Sequence, residues 1–112
     1  MKIVDKKLAT DELKKMAVAT FGDMVKAVVD VDREIIAVDA ELHSDLEALL
    51  LEGGSKQKNI WGINLYPDMH GEEFVEFDSL INIRPSQGNR SRGVEKEEIR
   101  KKIISIIAKR IS

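Results

Sequence analysis

The sequence contains no cysteine. That excludes a disulfide framework, a thiolate metal site and a cysteine nucleophile, and it leaves packing alone to hold the fold. Aromatic residues make up only 4% of the chain. Trp61, Tyr66 and Phe74 are the only ones placed to stack a base beside a basic segment, and single-stranded nucleic-acid grooves depend on such platforms. With a formal charge of −2 as well, broad tracking of a phosphate backbone is disfavoured, and nucleic acid is not an expected partner. Long apolar runs are also missing. Ala48 to Leu51 falls far short of the roughly 20 residues that a spanning helix requires, and Met1 to Lys7 has no signal-peptide core. The expectation is a cytoplasmic chain with no membrane segment. No G-x-x-x-x-G-K, G-x-G-x-x-G, H-E-x-x-H or G-x-S-x-G pattern occurs, so the nucleotide, metalloprotease and hydrolase signatures are absent and no cofactor is indicated.

What is present suits one domain. A chain of 112 residues with 43% hydrophobic content can bury roughly two thirds of its unfolded surface around a single core. Its charge is unevenly spread. Residues 1 to 83 carry nine Lys or Arg against seventeen Asp or Glu, whereas residues 84 to 112 carry nine against three. Such asymmetry fits either an anion-binding end or a basic segment folded back on an acidic one.

Periodicity predicts the order β-α-β-β-α-β-β-α, an α+β fold with a mostly antiparallel sheet of about five strands, and three helices chiefly on one face. Ile3-Val4 begins a short strand, and Thr10 is placed to cap a helix over Asp11 to Phe21, with Leu13, Met16, Ala17 and Phe21 as its stripe. A hairpin around Asp32-Arg33 sets Val25, Ala27 and Val29 opposite Ala40, Val38 and Ile36, and sets Asp39 opposite Lys26. Ser44 to Glu47 has capping-box spacing and opens a helix through Leu51, which Gly53-Gly54 ends. A second hairpin pairs Asn59 to Tyr66 with Glu73 to Arg84, aligning Trp61, Ile63 and Leu65 with Ser79, Phe77 and Val75. The last helix carries Ile99, Ile103, Ile106, Ile107 and Ile111 along one side.

Three groups of residues could carry function. The loop Arg84 to Gly93 sets Arg84, Arg90 and Arg92, with Asn82 and Asn89, between a strand end and a helix start. Guanidinium and amide donors there suit a phosphate, nucleotide or carboxylate. Glu95, Glu97 and Glu98 follow immediately, so self-pairing with these, or with Glu76 and Asp78, is the competing reading. The run Asp39, Glu41, His43 and Asp45 alternates along an extended backbone and suggests a general base or a divalent-metal site, although such a site needs three or more convergent ligands. Finally, the second sheet face mixes Asn64, Tyr66, Glu76, Asp78, Asn82 and Arg84 with Val28, Ile35, Ala37, Phe74 and Leu80. That composition suggests either a pocket or homodimer surface, or an internal network beneath a helix.

The segments Trp61 to Pro67 and Ile81 to Val94, with the opening of the acidic run at Ala37 to His43, resemble a small prokaryotic family classed as a domain of unknown function. The resemblance implies a stand-alone protein with the loop as part of its identity, and it brings no activity with it. The leading expectation is therefore a binding module for a small anionic ligand or an acidic partner segment. An enzyme built on His43 and a homodimeric interaction protein are the alternatives.

Overall fold

The computed structural model describes residues 1–112, the whole sequence. Its elements run β1 Lys2–Val4, α1 Thr10–Ala19, β2 Val25–Asp30, β3 Ile35–Val38, α2 His43–Glu52, β4 Ile60–Leu65, β5 Val75–Glu76 and α3 Glu97–Arg110. Short 3-10 turns at Gln57–Asn59, Gly71–Phe74, Leu80–Asn82 and Pro85–Gln87 join them. The strands form one sheet in the order β1-β3-β2-β4-β5, and every ladder is antiparallel. This is the α+β architecture that the periodicity predicted.

The first hairpin takes the expected register, with Ala27 opposite Val38 and Val29 opposite Ile36. The ladder ends there, because Asp39 turns into the left-handed region at φ 74°. Asp39 therefore does not face Lys26, whose cross-strand neighbour is Asn64 of β4. The second hairpin also has its expected register, Leu65 opposite Val75 and Asn64 opposite Glu76, but its outer strand is two residues long rather than twelve. Two side chains explain the early stop. The Ser79 hydroxyl accepts a bond from the Ile81 amide (3.3 Å) and bends the chain into the turn Leu80–Asn82. The Asn82 carboxamide then takes the place of a strand, accepting from the Gly62 N–H at 2.8 Å and donating to the Gly62 carbonyl at 2.9 Å. Gly62 permits this close approach, since a Cβ there would lie 2.5 Å from the Ser79 Cβ.

Alternation along the strands divides the core. One face carries Val25, Ala27, Val29, Ile36, Val38, Trp61, Ile63 and Leu65, packed against Leu13 and Ala17 of α1 and Ile103, Ile106 and Ile107 of α3. The other face carries Val28, Ile35, Ala37 and Ile60 and is covered by Leu46 and Leu50 of α2. So α2 lies across the sheet from its two companions. Leu46, Leu50 and Ile103 are fully buried, each stabilising the fold by about 1.5–3 kcal/mol through apolar transfer. No helix is long and apolar enough to cross a membrane.

The helix starts differ from expectation, by one residue in α1 and by two in α2. Ala9 stands at the cap of α1, and Thr10 is already helical. Leu42 stands at the cap of α2, placing Ser44 inside the helix, and no side chain caps that terminus. Glu47 cannot complete a capping box because its carboxylate is turned toward Arg84, 4.0 Å away.

Candidate functional site

The basic loop is a closed structure. Arg84 and Asn89 exchange backbone bonds of 2.7 and 3.1 Å, and Gly88 at φ 81° allows the tight return between them. The Arg84 guanidinium turns inward: Nε donates to the Ile81 carbonyl (3.0 Å), Nη1 to Gln57 (2.7 Å) and Nη2 to Ile60. Its plane lies over the Trp61 ring, 4.7 Å from the centroid. The contact with Glu47 is charge without a hydrogen bond, since Glu47 Oε2 is buried and has no donor. Burial pushes the Arg84 pKa down and Glu47 opposes this, but a guanidinium stays charged at any ordinary pH.

Asn82 and Asn89 hold the loop from within. Asn82 donates to the Arg92 carbonyl (2.9 Å) as well as to Gly62. Asn89 donates to the carbonyls of Asn82 and Gly93, each at 2.8 Å, and accepts from the Glu95 amide at 2.9 Å. Glu95 folds back so that its Oε2 receives the Arg90 and Ser91 amides at 2.6 and 2.8 Å. These two amides hold its carboxyl below the usual carboxylate range, so an anion already fills this backbone nest, and it is the chain's own. Arg92 Nε donates to Asp78 Oδ1 at 2.6 Å, which leaves its two terminal nitrogens without a partner. The Arg90 side chain makes no ion pair.

Beside the loop lies a cavity of about 210 Å³ lined by Lys58, Trp61, Gln87, Gly88, Asn89, Lys96 and Ile99. It has no acidic residue in its wall, and neither lysine is in a salt bridge. Lys96 is the cap residue of α3, whose terminus no side chain caps. Trp61 is 97% buried, and its Nε1 has no hydrogen-bond partner. Glu97 and Glu98, which the sequence set against an anion at this helix start, do not line the cavity. Sequence reasoning missed Lys58 and Lys96 because Lys58 lies far from the basic loop in the chain and Lys96 stands among three glutamates. In the sequence Trp61 reads only as a stacking platform and a strand residue.

The run Asp39, Glu41, His43 and Asp45 does not converge: no group of three or more His, Asp or Glu side chains that could hold a metal is formed. His43 is buried, and its Nε2–H donates to the Ile63 carbonyl at 2.8 Å. Burial lowers its pKa, with Lys26 adding to the effect and the Ile63 bond opposing it. The fold brings His43 together instead with Arg92 from the loop. Both line a second cleft of about 200 Å³, with Lys26, Leu42, Ser44, Ser79, Leu80 and Ile81.

The mixed sheet face resolves into parts. Beneath α2 it is apolar. Beyond α2, Asn64 Nδ2 and the Tyr66 hydroxyl both donate to Glu76 Oε1, at 2.9 and 3.1 Å. Phe74 packs against the other core, and Leu80 is exposed.

Neither the curated proteins nor the solved structures contain a match to this chain. The model of the family described as "Protein of unknown function (DUF5674)" matches residues 2–110, and the chain belongs to that family.

Proposed function

We propose that this protein is a binding module for a small oxyanion, held in the cavity between the turn Gln57–Asn59, the basic loop and the start of α3. The observation that carries this reading is a cavity with two unpaired lysines and no carboxylate in its wall, lined also by Trp61, whose covered indole N–H has no acceptor. A buried donor without a partner costs about 1–3 kcal/mol. Lys58 and Lys96 would neutralise the charge of an oxyanion in the cavity, and one that displaced the atoms covering the indole edge would also recover that cost. About 210 Å³ is room for a phosphate, sulfate or carboxylate group but not for a nucleoside beside it. The carboxylate of an acidic partner segment would dock the same way, head group first.

The basic loop serves this site as scaffold more than as ligand. Arg84 backs the indole and its backbone closes the turn onto Gln87 and Asn89, the Asn82 and Asn89 side chains brace the loop from Gly62 to Glu95, and the unpaired Arg90 adds positive potential at the loop tip.

The test is a titration of the isotope-labelled chain with phosphate, sulfate and acetate, following the single indole N–H signal. Saturable movement of that signal is expected, together with a rise in Tm that follows ligand concentration as mass action requires. Lys58→Met combined with Lys96→Met should abolish the movement of the indole signal. An indole signal unmoved by all three anions would refute the reading.

A further inference from the structure

The second cleft shares no residue with the loop cavity and lies at the opposite face of the sheet, where α2 begins. Its lining contains no acidic residue. Lys26 has no ion pair and rests over the Phe21 ring at 5.3 Å. Arg92 is tied to Asp78 through Nε alone, whereas the positive end of the α2 dipole is already answered by Asp45 in its first turn. By themselves these features describe only positive potential.

His43 supplies the independent observation. The side chain belongs to a residue that is 92% buried, and the bond from Nε2 to the Ile63 carbonyl fixes the proton on Nε2. Nδ1 is then a bare lone pair. It has no partner within the protein, and it is not among the buried orphan atoms, so it reaches the cleft that the residue lines. The site therefore combines two cations and the hydroxyls of Ser44 and Ser79 with one fixed acceptor. A ligand made only of acceptor oxygens leaves Nδ1 unanswered, or sets lone pair against lone pair.

We infer that this cleft binds an oxyanion bearing a hydrogen-bond donor of its own, with hydrogen phosphate as the simplest case. Lys26 and the terminal nitrogens of Arg92 hold the charge. The ligand's O–H donates to His43 Nδ1.

Phosphate and sulfate separate the two parts of this claim. At mildly alkaline pH both are dianions of similar shape, and only phosphate keeps a proton. The labelled full-length chain is titrated with each ion while the His43 and Ser44 amides are followed. Both ions should move these signals, with phosphate binding about tenfold tighter, the worth of one hydrogen bond to a desolvated acceptor. Lys26→Met should weaken both ions by the same factor and leave their ratio intact, whereas His43→Leu should bring the ratio to one. Equal affinities in the unaltered chain would overturn the inference, as would a ratio that survives His43→Leu in a folded variant, or amides at His43 and Ser44 that do not move. Because the indole of Trp61 reports the loop cavity separately, failure of either site is distinguishable from failure of the other.

Discussion

Replacing Arg84 with methionine should damage the fold far more than a surface arginine would. The side chain is 7% exposed, donates to three main-chain carbonyls, stacks on Trp61 and stands as the only cation beside the largely buried Glu47. Methionine keeps the volume and some packing on the indole but leaves the carbonyls of Gln57, Ile60 and Ile81 short of a donor and Glu47 without a counter-charge. Breaking one partner out of such a buried set costs about 3–5 kcal/mol. Against a total of roughly 5–15 kcal/mol for a domain, and a urea dependence of about 1–3 kcal/mol per molar, the midpoint of urea unfolding should fall by about 2 M. Arg84→Lys keeps the charge but not the planar fork, and should cost about half as much. Adding Glu47→Gln to Arg84→Met removes the stranded carboxylate and should recover part of the loss. A midpoint within about 0.5 M of the unaltered chain would refute the reasoning. A rise would go further, since it would mean that Arg84 stores repulsion for a ligand instead of holding three carbonyls.

Asn82→Ala strips the partners from both backbone groups of Gly62 and should destabilise by about 3 kcal/mol, with the Gly62 amide losing its protection from hydrogen exchange. Gly62→Ala drives a Cβ to 2.5 Å from Ser79, a clash against a buried side chain that should cost about 1–3 kcal/mol in urea unfolding. Because burial lowers the His43 pKa from its ordinary value of 6.5, the unfolded chain binds the extra proton first. Stability should therefore fall as pH drops below about 6.5 toward the folded value, and that slope should disappear from urea melts of His43→Gln. The amide signals of Arg90 and Ser91 should titrate together with a midpoint below 4.5 as Glu95 protonates and leaves them, and Glu95→Gln should remove the transition.

Alternation and helical spacing carried most of the fold, because burial on a sheet face or a helix stripe leaves a periodic record. Both hairpin registers followed from matching apolar faces, as did the isoleucine stripe of α3. What periodicity could not show was where a strand stops for a side-chain reason. Glu73 to Arg84 reads as one long strand, yet Asn82 reaches back to pair with Gly62 and replaces the ladder. A carboxamide acting as a stretch of backbone has no periodic signature. Nor does the placement of α2, whose apolar positions would suit either face until the sheet's own second face is seen to need cover.

The site was legible in location but not in its donors, and the reason is physical. The charge count marks Arg84 to Gly93 as cationic, and carboxylates are the partners that the sequence offers its arginines. Arg84 instead satisfies main-chain carbonyls, which every residue possesses and no sequence pattern advertises. Glu95 fills the backbone nest at Arg90 and Ser91, and the two asparagines are spent on the loop itself. A donor is available to a ligand only after the fold has taken the donors it needs. By that criterion the residues that remain are Lys58, Lys96, the Trp61 indole, the Arg90 side chain and the outer nitrogens of Arg92. Lys58 and Lys96 lie far apart in the chain and meet only because the closed loop brings the start of α3 beside the start of β4. The clustering of arginines thus marks where the backbone is most heavily braced, and the capacity to bind follows from what that bracing leaves unpaired.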